Sequence, residues 1–107
     1  MLIALDWDDT ISNDVEGFRE FVSLFRRRGH EFIIVTIRPP SQPNEDVLAF
    51  SMKEGIPVIF TNGKQKAAVC KDAGYQVDVW VDDCPVLIPA AKELSGVLHG
   101  CFTNNDL

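Results

Sequence analysis

Cysteine and histidine are scarce in this chain, and their scarcity removes several kinds of chemistry. The three cysteines, Cys70, Cys84 and Cys101, form no CxxC or Cys/His grouping with metal-ligand spacing, and an odd count does not make a disulfide framework. They read as reduced thiols. His30 and His99 have no metal-ligating neighbours in sequence and read as surface or turn residues. Basic residues are also few: ten lysines and arginines against sixteen acids leave a formal net charge of −6. That balance disfavours non-specific attraction to nucleic acid, which draws on a basic surface to release counterions, while leaving a nucleic-acid end open as a substrate. No apolar run approaches the roughly 20 residues that span a bilayer, and no basic segment precedes the first strand pattern. Neither a membrane span nor a signal peptide is therefore expected, and the chain reads as soluble and cytoplasmic. Internal repeats, low-complexity stretches and dividing linkers are absent too. Residues 1–107 read as one domain, with 46% hydrophobic residues to build its core.

Strand and helix signals alternate along the chain, the rhythm of a Rossmann-like α/β fold with a parallel sheet. The first strand is expected at about Leu2 to Asp6. A helix follows from about Asp14 to Arg28, with Phe18, Phe21, Val22 and Phe25 at i, i+3, i+4, i+7 spacing and Gly29 as its stop. Asn13 with Glu16 resembles a capping box at its start. Arg26-Arg27-Arg28 at its end is read as cations meeting the negative end of the macrodipole, in preference to a patch for an anionic partner. The nearly continuous apolar run Phe32 to Thr36 suits a central strand covered on both faces. After a proline-rich loop come a helix over about Glu45 to Glu54, a short strand Val58 to Phe60, and a helix over about Lys64 to Ala73. Val77 to Asp82 is the fourth strand, Pro85 opens a short helix, and a fifth strand is placed near Val97 to Phe102.

Two strands end in acids: Asp6-Trp7-Asp8-Asp9-Thr10 follows the first, and Asp82-Asp83 ends the fourth. In an open parallel sheet, reactive groups gather at the carboxyl ends of strands where the strand order reverses, here between strands one and four. Carboxylates crowded there repel one another unless a cation or a reacting group offsets the charge. A set of hard oxygen donors suits Mg²⁺, which takes carboxylates and waters at about 2.1 Å. The pattern points to chemistry on a phosphate.

Asp6-Trp7-Asp8-Asp9-Thr10 resembles motif one of the haloacid dehalogenase (HAD) superfamily, DxDx(T/V). Thr36, closing the second strand, is similar to the motif two threonine or serine, and Asp82-Asp83 to the DD form of motif four. Motif three is a lysine at the start of the preceding helix; Lys64 and Lys66 both stand there, and Lys66 is the preferred candidate. The resemblance covers roughly residues 1 to 90, and its weight lies in the ordered set rather than in any one motif.

The resemblance implies a three-layer HAD-like core with strand order about 5-4-1-2-3. It also implies phosphoryl transfer through an aspartyl-phosphate, with Asp6 attacking phosphorus and Asp8 protonating the leaving oxygen and then activating water. Thr36 and the lysine, Lys66 or Lys64, would hold the phosphate oxygens. Mg²⁺ would be bound by the Asp6 carboxylate, the Asp8 backbone carbonyl and the motif four acids, Asp83 more directly than Asp82. Asp9 stands where many family members carry glycine and is read as a turn residue, and Thr10 as a hydroxyl tying down the turn. Arg38 either reaches a substrate phosphate or lies exposed in a polar loop. Trp7 and Trp80 read as core.

Most of the superfamily inserts a cap domain after motif one or between motifs two and three. Here residues 11 to 30 supply one helix, and residues 37 to 65 only a loop, a helix and a short strand, so no cap domain is expected. An open site suits a phosphate on a nucleotide, a nucleic acid or a protein, unless a second subunit in a homodimer covers it. The function expected is that of a Mg²⁺-dependent phosphatase. The alternative is a catalytically weak binding or regulatory protein that keeps the metal site; retention of Asp8 argues against it. A response-regulator receiver would need its acceptor aspartate after the third strand, where Thr61-Asn62-Gly63 stands instead.

Overall fold

Four parallel strands carry the fold: β1 (Leu2–Leu5), β2 (Glu31–Thr36), β3 (Val58–Phe60) and β4 (Val79–Val81). They belong to a computed structural model that describes residues 1–89. The inner strands β1 and β2 are buried on both faces: Ile3, Ala4 and Leu5, and then Phe32 through Thr36, are closed to solvent. This is why their sequences run apolar without alternation. The sheet order is β3-β2-β1-β4. It differs from the expected five-stranded 5-4-1-2-3 because no fifth strand flanks β4 among the described residues. The segment expected to supply it, near Val97 to Phe102, lies outside them, as do His99 and Cys101.

Three helices cover the sheet: α1 (Val15–Arg27), α2 (Glu45–Glu54) and α3 (Lys66–Asp72). The chain steps outward from β1 to β2 to β3, then returns to the far side of β1 for β4. Right-handed crossovers put helices of opposite step on opposite faces. On one face Ile3, Leu5, Phe32 and Ile34 pack with Phe18, Phe21, Val22 and Phe25 of α1 and Val47 and Phe50 of α2. On the other, Ala4, Ile33 and Val35 pack with Cys70 of α3 and with Trp80. Helices on both faces make three layers. The β1–α1 connection holds only a 3₁₀ turn, Ile11–Asn13, and the β2–β3 connection only α2, so no inserted domain stands over the carboxyl end of the sheet among the described residues.

The aromatic stripe of α1 works as its spacing requires, with the Phe21 ring 4.7 Å from Phe25 and 5.4 Å from Phe32. Its N-cap is Asp14, one residue later than the expected Asn13, because Asp14 Oδ1 accepts the Gly17 N–H at 2.9 Å. Asn13 instead donates its amide to the Asp9 carbonyl. Removing this cap with Asp14→Ala should cost about 1 kcal/mol, read as a lower urea midpoint at unchanged slope. Gly29 follows the helix at φ +90°, a conformation that a side chain resists. Arg26 reaches beyond its own helix, donating to the Glu54 and Gly55 carbonyls at the end of α2. The basic cluster thus closes two helices at once.

Two elements start two residues later than expected. β4 spans Val79–Val81 rather than Val77 to Asp82, and α3 begins at Lys66 rather than Lys64, with Gln65 extended at φ −65°, ψ 130° before it. The second difference makes Lys66 the first helical residue.

Candidate functional site

Strand register brings the acids together. Leu5 pairs with Val81, and Asp6 N–H donates to the Val81 carbonyl at 2.9 Å, so Asp6 and Asp82 leave adjacent strands on the same rung. By alternation both follow Ala4 and Trp80 onto the face covered by α3. Lys66, at the start of that helix, places Nζ 2.8 Å from Asp6 Oδ1 and 2.6 Å from Asp82 Oδ2. The lysine is 1% exposed, and the two carboxylates are 8% and 2% exposed. Thr10 closes the other side. Its hydroxyl donates to Asp6 Oδ2 at 3.0 Å and accepts the Asp83 N–H at 3.3 Å, tying the end of β1 to the end of β4.

The acids are unequal as possible ligands. One oxygen from each of Asp6, Asp82 and Asp83 lies within 4.8 Å of the others, close enough to hold one cation. Asp82 already serves Lys66 through Oδ2 and the Cys84 N–H through Oδ1. Asp83 is exposed, and its only side-chain bond among the described residues is a long one, 3.4 Å, from Thr10. Asp6 is likewise held through both oxygens, by Lys66 and Thr10, so Asp83 is the freest of the three, and an all-carboxylate set fits a hard divalent cation such as Mg²⁺.

Burial pushes the Asp6 carboxyl up to about 6; the Lys66 ammonium pulls against this, while Asp83 and Asp82 add to it. A carboxyl raised in the fold binds its proton more tightly there than in the unfolded chain. Its contribution to stability is therefore full below about pH 4 and is lost as pH rises toward 6. In metal-free protein, urea unfolding should show this as a fall of about 2–3 kcal/mol between pH 4 and 7. Asp6→Asn should flatten it, and an unchanged slope in that variant would assign the fall to another group.

Asp8 also lines the cleft but faces a different partner. Arg38 donates to it through Nε at 3.0 Å and Nη2 at 2.7 Å, and the same guanidinium grips Asp46 at 2.8 and 3.1 Å. Asp46 further accepts the Trp7 indole N–H at 3.0 Å. The arginine holds the Asp46 carboxyl down at about 2, and both acids raise Arg38 above its usual range. Asp9 sits at φ +61°, which explains a turn position where glycine also fits, and its N–H donates to Ser12.

The cleft itself is small, about 150 Å³, lined by Asp6, Asp8, Asp9, Lys66, Asp82 and Asp83, with Ile37, Cys84 and Leu87 beside them. Three of the expected site residues, Lys64, Thr36 and Arg38, are not in its lining. Lys64 is exposed on the loop before α3. Thr36 is buried, and its hydroxyl accepts the Arg38 N–H at 3.3 Å. Alternation along β2 places it with Phe32 and Ile34, on the face opposite Asp6. Arg38 meets carboxylates rather than lying free in its loop. Sequence reasoning missed Asp46, since the proline-rich loop between β2 and α2 separates it from Arg38 and no helical or strand period runs through that loop. Trp7 is core, as its strand position suggested, yet its indole N–H also serves this cluster. Comparison with protein-family models, with curated proteins and with solved structures finds no match for this chain.

Proposed function

We propose that this protein is a Mg²⁺-dependent phosphatase of HAD type, without a cap, working through an aspartyl-phosphate on Asp6. The observation that carries the reading is the buried Lys66 bonded to both Asp6 and Asp82 at the crevice between β1 and β4. A cation fixed against a buried carboxylate orients that carboxylate and supplies positive charge where an incoming phosphate needs it. Asp6 attacks phosphorus as the ester oxygen departs with a proton from Asp8. Water then attacks the phosphorus and gives its proton to Asp8, and the Asp6–phosphorus bond breaks. Mg²⁺, when held by Asp6, Asp83 and the Asp8 carbonyl, would neutralise phosphate charge and relieve the crowding of the acids. Thr10 keeps the two strand ends, and so Asp6 and Asp83, in register.

A cleft of about 150 Å³ is well below the roughly 300–1,000 Å³ of sites that enclose a whole small molecule. It suits a phosphoryl group whose parent molecule stays outside, such as a nucleotide or a phosphate on a macromolecule; the net charge of −6 weighs against nucleic acid. One observation favours the second reading, a binding protein with little turnover: Arg38 occupies both oxygens of Asp8. Hydrolysis of an aryl phosphate and a broad panel of phosphate esters, with and without Mg²⁺, separates the two. Turnover that requires Mg²⁺ and Asp6 supports the phosphatase. Mg²⁺ binding without turnover of any ester would replace it with the binding protein.

A further inference from the structure

At the rim of the cleft the structure builds a charged cluster, Asp8–Arg38–Asp46, of which the hydrolytic steps use only Asp8. We propose that Asp46 is a positioning residue that fixes the Arg38 guanidinium, which in turn holds the Asp8 carboxylate at the mouth of the cleft. The inference rests on the phosphatase reading and adds to it the device that aims the proton-transferring acid.

The argument begins with the donors of Arg38. A guanidinium has five N–H groups, and the geometry uses its whole fork. Nε and Nη2 bind Asp8, Nη1 and Nη2 bind Asp46, and Nη1 also lies 3.5 Å from Asn44 Oδ1. Little of it is left for a substrate phosphate. Arg38 is shaped here as a connector between two carboxylates, with a side chain only 15% exposed. The far end of the connector, Asp46, is itself half exposed but is tied to a buried indole and to the start of a helix. Asp46 stands in the first turn of α2, where the dipole favours an acid, and takes the Val47 N–H at 2.8 Å and the Trp7 indole N–H at 3.0 Å. Trp7 is buried against Phe50 of the same helix, their rings 5.5 Å apart. Asp8 itself is half exposed and sits one residue from a left-handed turn at Asp9. Arg38 supplies all of its side-chain hydrogen bonds among the described residues.

The two half-reactions place different demands on this arrangement. A carboxylate offers about four lone-pair sites, so Asp8 held by two N–H groups can still accept a proton from the attacking water. When Asp8 carries that proton for the leaving oxygen, one Arg38 N–H must let go. Asp46 retains the guanidinium meanwhile, so Asp8 finds the same partner when the proton has left.

The test measures kcat and KM for Asp46→Asn on two esters at saturating Mg²⁺: nitrophenyl phosphate, whose leaving oxygen needs no proton, and a primary alkyl phosphate, whose leaving oxygen does. The expected result is a loss in kcat of about 10²-fold on the alkyl ester, less than about tenfold on the aryl ester, and little change in either KM. Asp46→Glu should recover part of the loss. Trp7→Phe, which removes only the indole donor, should shift the esters in the same order by less, and it carries the test if Asp46→Asn does not fold. Equal losses on both esters, no loss, or a rise in KM at constant kcat would overturn the inference, the last by making Arg38 a ligand of the substrate. If the native chain turns over neither ester, the phosphatase reading itself fails and this inference falls with it.

Discussion

Asp6→Asn is expected to lower kcat for Mg²⁺-dependent ester hydrolysis by a factor on the order of 10⁴ or more, the scale seen when a nucleophile is removed from a site that still binds its substrate. The substitution keeps shape and size and takes away the attacking oxygen. Its neighbours are expected to remain in place, because Lys66 keeps Asp82 at 2.6 Å and Thr10 keeps its bond from the Asp83 N–H. The fold should survive, since a neutral amide replaces a carboxyl that burial already pushes up to about 6. A variant that is folded and inactive locates the chemistry at Asp6. Residual activity within about tenfold of the native protein would mean that another group attacks phosphorus.

Lys66→Met is expected to cost about 3–5 kcal/mol at pH 7, the usual range when one partner is taken from a buried ion pair. The reason lies in what remains. Asp6 and Asp82 are nearly closed to solvent, on adjacent strand ends, and would face each other and Asp83 without a counter-charge. Against a total stability of about 5–15 kcal/mol, that loss brings the domain close to unfolding. Protonation should offset it, so the deficit in urea midpoint should shrink as pH falls from 7 to 5; adding Asp82→Asn should recover part of it at pH 7. A loss below about 1 kcal/mol at pH 7 would show that the lysine does not compensate these acids in solution. The same variant should be inactive, but the stability measurement stands whether or not the phosphatase reading holds.

The strands and helices were legible because each is a local pattern. The apolar run at Phe32 to Val35, the aromatic stripe from Phe18 to Phe25 and the glycine stops at Gly29 and Gly55 each signal their element without knowledge of its neighbours. The boundaries that shifted are those set by contacts. α3 starts at Lys66 because the two preceding residues belong to the loop that follows β3, where Gly63 and Asn62 N–H groups bond to Ile37 and Arg38 carbonyls. The Asp14 cap displaced Asn13 because Asn13 is used by the turn that carries Asp9.

For the candidate site, the sequence by itself determined which residue types collect at the carboxyl end of the sheet: acids after β1 and β4, and a lysine before or within the first turn of α3. Only the tertiary structure decided their partners. It buried Lys66 between Asp6 and Asp82 and left Lys64 outside, made Asp82 the lysine's partner and Asp83 the freer acid, and turned Thr36 away from the cleft. It also linked Asp8 to Asp46, 38 positions further along the sequence, through Arg38. The physical reason is range: periodicity and capping act within a few turns of chain, whereas an ion pair forms only after strand register and helix placement have brought distant residues within about 4 Å.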